Sequence, residues 1–337
     1  MSSLPIYNIA KIFSTTACWT TMICNSIFIF LTMVHLKKVD LTYRKLLTVF
    51  ATLGMFFSFI EMQIHPFFHS YNNSLINFNM AELPKDLATL QVASYSGVYV
   101  TIVSFFTILL AFRYWRMTGS TIVNCFTGWK IIFLISWPLF FGIAATGVVI
   151  LFGPIDDYAR EYTKEVMMES YGIATENISG YSVIAYDQNG NLHWNSLAFT
   201  SGIISLMEIQ FLIVGIFGFR MYFRMNILLQ NVSKSYEMIQ RQFFKSLIYQ
   251  ITSPTFTFYI PAILILTVPF FDLKFNLPTG LIVCSFSIYP PIDSIIMMIV
   301  VSEYRVAIKK IWKNPKSFFG CVSVNGNSAL EVRVVVL

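Results

Sequence analysis

The feature that most limits how this chain can fold is a set of seven apolar runs, each long enough to cross a membrane. About 20 helical residues, rising about 1.5 Å each, cross about 30 Å of hydrocarbon. Hydrophobic residues make up 56% of the chain and charged residues 12%, which lies outside the usual composition of soluble domains. We therefore predict an all-α membrane protein, a seven-transmembrane helix bundle. The spans are expected at about Ile12 to Val34, Leu46 to Ile64, Leu90 to Phe112, Ile131 to Phe152, Leu197 to Phe219, Leu247 to Phe270 and Leu281 to Val301.

The basic residues predict the orientation of this bundle. An odd number of spans puts the two termini on opposite sides of the membrane. Most of the 23 lysines and arginines follow spans one, three, five and seven. The positive-inside rule therefore places the N-terminus outside and the C-terminus in the cytosol. The first apolar run is too long for a cleavable signal peptide and should act as its own signal anchor.

The segment after span seven has the pattern of a helix that lies on a membrane surface. Tyr304, Ile308, Ile311 and Trp312 fall on one helical face, and basic residues occupy the remainder. Such a helix binds an anionic, cytoplasmic lipid surface. We predict a membrane domain over residues 1–316 that ends with this amphipathic helix, followed by a cytoplasmic tail over residues 317–337.

The segment between spans four and five, from Gly153 to about Trp194, is long, acidic and polar. We expect a semi-ordered lid over the mouth of the bundle. It contains a glycosylation sequon at Asn177, on the predicted outer side, and a second sequon at Asn72 lies close to the membrane. A third, at Asn231, is cytoplasmic by the charge rule and should stay unmodified.

Several polar side chains within or beside the spans are candidates for ligand contact, because polar groups at membrane depth are costly and usually face a bundle interior. Glu61 and His65 lie one helical turn apart, and capping of the helix end is as good an interpretation as ligand contact. A polar stripe on span three fits helix packing better than ligand contact. The centrally placed carboxyl of Glu208 is expected to face the interior. The candidate ligand residues are Glu61, His65, Gln91, Ser94, Thr101, Glu208 and Tyr259.

A second group of residues is predicted to form an activation switch. Prolines interrupt the helical hydrogen-bond ladder, so the two prolines of span six predict a hinge and the proline pair of span seven predicts a break. Asp293 lies just past mid-depth in span seven, which is deep for a ligand. The switch candidates are Arg113, Tyr114, Pro254, Pro261, Tyr289, Pro290 and Asp293.

The acidic, histidine and cysteine residues do not form an enzyme-like pattern. The five cysteines lie in spans or on the cytoplasmic side, so a disulfide between outer loops is not expected. Glu61, His65, Glu208 and Asp293 lie at different depths on different spans. We expect no metal site, no cofactor and no enzymatic activity.

The chain resembles the nematode seven-transmembrane chemoreceptors of the Str type, the group that includes the diacetyl odorant receptor. The resemblance covers essentially the whole chain. It depends on four stretches of the sequence: Glu61 with His65-Pro66, and His69-Ser70-Tyr71-Asn72; Ser253-Pro254 with Tyr259-Ile260-Pro261; and Tyr289-Pro290-Pro291-Ile292-Asp293 followed by Glu303-Tyr304-Arg305. Ser294 departs from the proline that often follows the aspartate. Arg113-Tyr114 matches the end of span three in rhodopsin-like receptors, but Phe112 replaces their acidic residue, so an ionic lock of that type should not be assumed.

The resemblance implies a G-protein-coupled chemosensory, olfactory-type receptor in the plasma membrane, sensory cilia included. Its expected partners are the lipid bilayer, a small or peptide-like extracellular ligand and a cytosolic heterotrimeric G protein. The alternative is a small-molecule transporter or channel. Transporters usually carry repeats with broken helices in corresponding positions, whereas here the prolines cluster in spans six and seven. The residues alone do not choose between a volatile and a peptide-like ligand.

Overall fold

A computed structural model describes residues 3–36, 39–80, 84–228, 234–271 and 276–313. Seven of its helical segments are long and apolar enough to span a membrane, which confirms the predicted bundle. The helices are α1 (Leu4–Val34), α2 (Leu41–Ile64), α3 (Lys85–Met117), α4 (Ile131–Phe152), α5 (Asp157–Tyr171), α6 (Trp194–Leu228), α7 (Lys234–Pro254), α8 (Ile260–Thr267), α9 (Leu281–Val300) and α10 (Ser302–Lys313). Span six consists of α7, a π-helical turn at Thr255–Tyr259 and α8.

A four-stranded antiparallel sheet covers one end of the bundle, and the sequence analysis did not predict it. The strands are β1 (Phe67–Tyr71), β2 (Ser74–Asn79), β3 (Ser179–Ile184) and β4 (Asn276–Leu277), in the order β3-β2-β1-β4. β1 and β2 form a tight hairpin in which Asn72 adopts a positive φ of 48°, a conformation that asparagine tolerates better than most residues. Loops after spans two, four and six thus contribute to one sheet.

Each face of this sheet packs against a different hydrophobic core. Phe68, Leu75, Tyr181 and Val183 belong to the main core of the bundle. The opposite face packs against α5 in a separate cluster, which includes Phe67, Ile76, Phe78, Val166, Met167 and Tyr171. The expectation of a semi-ordered lid over residues 153–194 is therefore wrong, because α5 and β3 are regular elements with buried side chains.

Helix α3 runs through the middle of the bundle, and most of its side chains are buried. It packs against α4 through a reciprocal pair of glycines. A β-carbon added to Gly97 would lie 2.0 Å from Thr146 Oγ1, and one added to Gly142 would lie 2.0 Å from Thr101 Oγ1. Small residues allow such close helix contacts within a membrane.

The proline-containing spans differ from one another. In span six the helix changes to a π-helical turn immediately after Pro254, which confirms a local irregularity between Pro254 and Pro261. In span seven, α9 stays helical through Pro290 and Pro291. Neither proline has an N–H to donate, so the break concerns the hydrogen-bond ladder and does not end the helix.

Candidate functional site

A cavity lies directly beneath the sheet, between spans three, four, five, six and seven. The space within it that can hold the centre of a water-sized molecule is about 60 Å³. Phe68 and Tyr181 close it from the sheet side. The remaining lining is mostly aliphatic and aromatic: Tyr95, Ser96, Tyr99, Val100, Val149, Phe199, Ile203, Met207, Ala262, Ile265, Leu266 and Phe286. Among the described residues, the lining contains no acidic or basic side chain.

Two tyrosines of α3 give this apolar cavity its most distinctive polar groups. Tyr95 and Tyr99 are 3% and 8% exposed, and neither hydroxyl has a hydrogen-bond partner within the part of the chain that the structure describes. Their rings are held by stacking: Tyr95 lies 5.1 Å from Phe57 and Tyr99 lies 4.5 Å from Phe258. A buried hydroxyl without a partner is costly, so a bound molecule that accepts hydrogen bonds would be favoured here.

The other phenol facing the cavity comes from the sheet. Burial raises the pKa of Tyr181 to about 12, so this hydroxyl stays protonated at physiological pH. Because the described lining also has no charged side chain, the cavity is suited to a neutral guest rather than to an ion.

Glu61 and His65 are joined through the backbone rather than through their side chains. The His65 N–H donates to the Glu61 carbonyl oxygen at 2.8 Å, where His65 ends α2 in the left-handed conformation. The Glu61 carboxylate is buried and accepts a hydrogen bond from Ser287 in α9. The His65 ring lines a narrow pocket with Lys11 instead. Burial, and to a lesser extent the charge of Lys11, lowers the pKa of His65.

The predicted polar stripe of span three lies beside the cavity lining. Gln91, Ser94 and Thr101 are half-buried, and none of the three lines the cavity. Thr101 instead lies at the contact with Gly142 of α4, which favours the packing interpretation for this residue. Tyr259 is also absent from the lining, and its ring packs against Phe211 at 5.3 Å.

Glu208 does not face the bundle interior, so that expectation is wrong. Its side chain is exposed on the outer surface of α6, whereas Gln210 is completely buried and close to Thr107. Two residues correspond to about 200° of helical rotation, so the two side chains point in nearly opposite directions. The neighbouring amide therefore occupies the interior position predicted for the carboxyl.

Asp293, a predicted switch residue of span seven, belongs to a buried polar cluster that lies farther from the sheet than the cavity does. Gln250 of span six donates to both carboxylate oxygens of Asp293, at 3.0 and 3.1 Å. Ser294 donates to Asn25 at 2.7 Å, and Asn25 donates to the Ala51 carbonyl oxygen at 2.9 Å. Spans one, two, six and seven are therefore connected by side chains at this depth. Tyr289 lies nearer the cavity, with its ring 4.7 Å from that of Phe258.

Arg113 is buried near the end of α3 that lies away from the sheet. Phe112 stands in the place of the acidic residue that would be its partner in a rhodopsin-like arrangement. The Nη1 of Arg113 donates to the Phe243 carbonyl oxygen at 2.7 Å. The guanidinium carbon lies 5.6 Å from the Tyr43 ring centroid and 5.4 Å from that of Phe243. A backbone carbonyl and two aromatic faces thus hold the cation between spans two and six. Tyr114 packs against Phe217 of span five, 5.4 Å away.

Sequence reasoning missed the aromatic residues that form the cavity. Tyr95 and Tyr99 are four residues apart, which was the available signal, but aromatic pairs at helical spacing are also common in cores. The contribution of Phe68 and Tyr181 had no comparable signal, since it depends on pairing between distant loops.

The seven-helix bundle, the covered cavity and the buried arginine at the end of span three are features of seven-transmembrane receptors. The crystal structure of squid rhodopsin matches this fold with a TM-score of 0.54 over 96% of this chain and 89% of rhodopsin, at 13% identity. This likeness concerns the fold alone.

Sequence comparison identifies the family. The family model described as serpentine type 7TM GPCR chemoreceptor Str matches residues 10–309. The chain is 33% identical over 302 residues to the G-protein coupled receptor str-33 of Caenorhabditis elegans, covering 87% of this chain and 88% of that receptor. It is 25% identical to serpentine receptor class r-10 of the same species, covering 79% and 80%. The chain belongs to the Str family of serpentine chemoreceptors. This is a receptor family and not an enzyme family, and membership does not favour a transporter or channel.

Proposed function

We propose that this G-protein-coupled chemosensory receptor binds a small, neutral, mostly apolar molecule in the cavity beneath the sheet. The observation that carries the proposal is the pair of buried, unpartnered hydroxyls of Tyr95 and Tyr99 in an otherwise apolar lining. These hydroxyls would donate to acceptor oxygens of the ligand, and the stacked rings around them would contact its carbon skeleton. An olfactory role follows as part of this proposal.

The chemistry of the cavity favours a compact neutral molecule over a peptide. A peptide would bring many amide groups, and the sheet and α5 cover the side from which a long ligand would approach. An amine or carboxylate would need a counter-charge that the described lining does not provide. The unpartnered polar atoms that the lining does offer suit one or two acceptor atoms.

A dose-response series in cells expressing the full chain tests this proposal. After an agonist is found in a panel of neutral volatile compounds, Tyr99→Phe should raise the half-maximal concentration about tenfold, because it removes one hydrogen bond while keeping the ring. Thr101→Val is the matched control on the same helix and should leave that concentration unchanged. If Thr101→Val shifts the response and Tyr99→Phe does not, the polar stripe and not this cavity is the ligand site.

The remaining ligand candidates have roles at different distances from this cavity. Glu61, through Ser287, links spans two and seven, and His65 lies at the outer end of span two. Both are placed to sense movement of span seven. Gln91, Ser94 and Tyr259 would act from outside the lining, and Glu208 is excluded from ligand contact by its outward orientation.

At the other end of the bundle, we propose that a heterotrimeric G protein binds the cytoplasmic surface after Arg113 is released. Outward movement of the inner part of span six would separate Phe243 from Arg113, and the π-helical turn after Pro254 is a suitable hinge. Asp293 and Gln250 would separate in the same movement.

The predicted topology and location belong to this proposal. The N-terminus, the sheet and α5 would be outside the plasma membrane, and α10 would lie on its cytoplasmic surface. The predicted domain of residues 1–316 extends slightly past the described residues, and the predicted tail of residues 317–337 lies outside them. Sensory cilia are the expected location in a chemosensory cell.

A further inference from the structure

Glu208 is a charged residue in an unusual place. It lies midway between Leu197 and Phe219, and it is the only acidic or basic residue in that apolar stretch. Its side chain is exposed on the outside of the bundle, and it has no hydrogen bond or ion pair with any described residue. A carboxyl group that faces hydrocarbon without a hydrogen-bond partner is unfavourable. A monomer surrounded by lipid leaves this group without a polar partner.

The residues around Glu208 on the outer face of α6 have the spacing of a helix-packing seam. Ser201, Ser205, Glu208, Leu212, Gly215 and Phe219 are all exposed and are separated alternately by four and three residues. This alternation places them in one stripe that a second helix can follow at a small crossing angle. Two serines and a glycine allow close approach of that helix.

We propose that two copies of this receptor associate in the membrane through this face of span five, and that the two Glu208 carboxyls hydrogen-bond to each other. Every copy inserts with the same orientation, so the two-fold axis of a dimer must run along the membrane normal. The two α6 helices are then parallel, and each seam residue meets its own counterpart at the same depth. A protonated carboxyl is both a donor and an acceptor, so this group is self-complementary.

The second copy is a better occupant than a helix that carries lysine or arginine. A basic partner would have to bring its own charge to the middle of the membrane, where the cost of a cation is as large as that of the carboxylate. Two neutral carboxyls satisfy each other without either charge. The flanking Ser205 and Leu212 layers also accept their own copies without a clash of large side chains.

Self-association of the full-length receptor tests this inference. Two differently labelled copies in the plasma membrane should show resonance energy transfer that saturates with expression level. Glu208→Leu should weaken association about tenfold, as expected for loss of one hydrogen-bonded pair within a membrane. Glu208→Gln should retain most of it, because an amide also donates and accepts. Glu208→Leu replaces a lipid-facing carboxyl with an apolar group, so its amount at the cell surface should be undiminished.

Cysteine cross-linking tests which helix faces meet between the two copies. Leu212→Cys should form a covalent dimer on oxidation, whereas Ile143→Cys, at a position of α4 that is 71% exposed, should not. Three results would overturn the inference: energy transfer at the random-collision level for the wild-type receptor, equal association of Glu208→Leu, or cross-linking of Leu212→Cys only to a different membrane protein.

Discussion

Gln250 in span six donates its side-chain amide to both carboxylate oxygens of Asp293 in span seven, at 3.0 and 3.1 Å. Both side chains are buried, with exposures of 3% and 5%. This pair connects the span that carries the π-helical turn to the span that carries the proline pair. An arrangement of this kind can exist in a bonded and a separated form that differ by a few kcal/mol, which is what a ligand-biased equilibrium requires.

We therefore expect Asp293→Asn to change basal or maximal signalling more than it changes ligand affinity. Asparagine keeps the size and much of the hydrogen bonding but removes the charge that Gln250 contacts. Surface amount, ligand binding and signalling should be measured on the same cells. A variant that reaches the surface, signals fully and only loses affinity would contradict the switch assignment, whereas retention inside the cell would indicate a structural acid.

The aromatic contacts of Arg113 predict a second effect on signalling. Tyr43→Leu removes one of the two rings that hold the guanidinium. It should destabilise the arrangement in which Arg113 is bound between spans two and six by about 0.5–2 kcal/mol. Basal signalling should rise at least twofold in the absence of agonist. Tyr114→Phe is the control, since the Tyr114 ring packs on span five rather than on Arg113. If Tyr43→Leu reaches the surface in normal amounts and its basal signalling is unchanged, the contact between Tyr43 and Arg113 does not hold the receptor inactive.

The contact between α3 and α4 predicts a site where added volume is not tolerated. Gly142→Val would place carbon atoms against Thr101 and the Gly97 carbonyl oxygen, and overpacking of this kind costs about 1–3 kcal/mol. The melting temperature and surface yield of the receptor should fall. Gly147→Val, on the same helix with no atom within 4 Å of an added β-carbon, should have little effect. Equal losses from both variants would show that any larger residue in α4 is harmful.

The four-stranded sheet should lose stability in acid. Burial lowers the pKa of His69 to about 4, and His69 Nδ1 shares a 2.8 Å hydrogen bond with the Tyr171 hydroxyl of α5. The unfolded state takes up a proton near pH 6.5 but the folded state only near pH 4, so stability is lost as pH falls through this window. The full loss is about 3 kcal/mol.

Hydrogen exchange of β1 and β2 between pH 7 and pH 4.5, corrected for the intrinsic exchange rate, would measure this effect. His69→Asn should be less stable at pH 7 and should lack the steep loss below pH 6.5. His193→Asn changes a histidine outside the sheet and should keep the steep loss of stability below pH 6.5. A pH dependence that survives in His69→Asn would assign the titration to another group.

The predicted orientation can be checked by glycosylation. The wild-type receptor should carry a glycan at Asn177, because the loop between spans four and five is expected outside. Its apparent mass should fall on treatment with an endoglycosidase, and Asn177→Gln should have the lower mass without treatment. Modification at Asn231 would instead reverse the proposed topology.

The number and approximate limits of the spans could be predicted from the amino-acid sequence alone. Hydrocarbon requires long apolar helices, so span seven was predicted at Leu281 to Val301 and observed at Leu281–Val300. The amphipathic helix after span seven could also be predicted, because the side-chain period of a helix is local. In that helix, Tyr304 is buried and bonds Thr32 at 2.9 Å, whereas Trp312 is exposed.

The direction in which each span faces and the elements that cover the cavity could not be predicted from the sequence and became known from the folded chain. Lipid and the neighbouring helices are equally apolar, so hydropathy did not distinguish the outward Glu208 from the inward Gln210, or the cavity residue Tyr99 from the packing residue Thr101. The sheet depends on backbone pairing between β2 and β3, which are about a hundred residues apart along the chain. Neither segment alone shows which strand it pairs with, because the partners are distant along the chain.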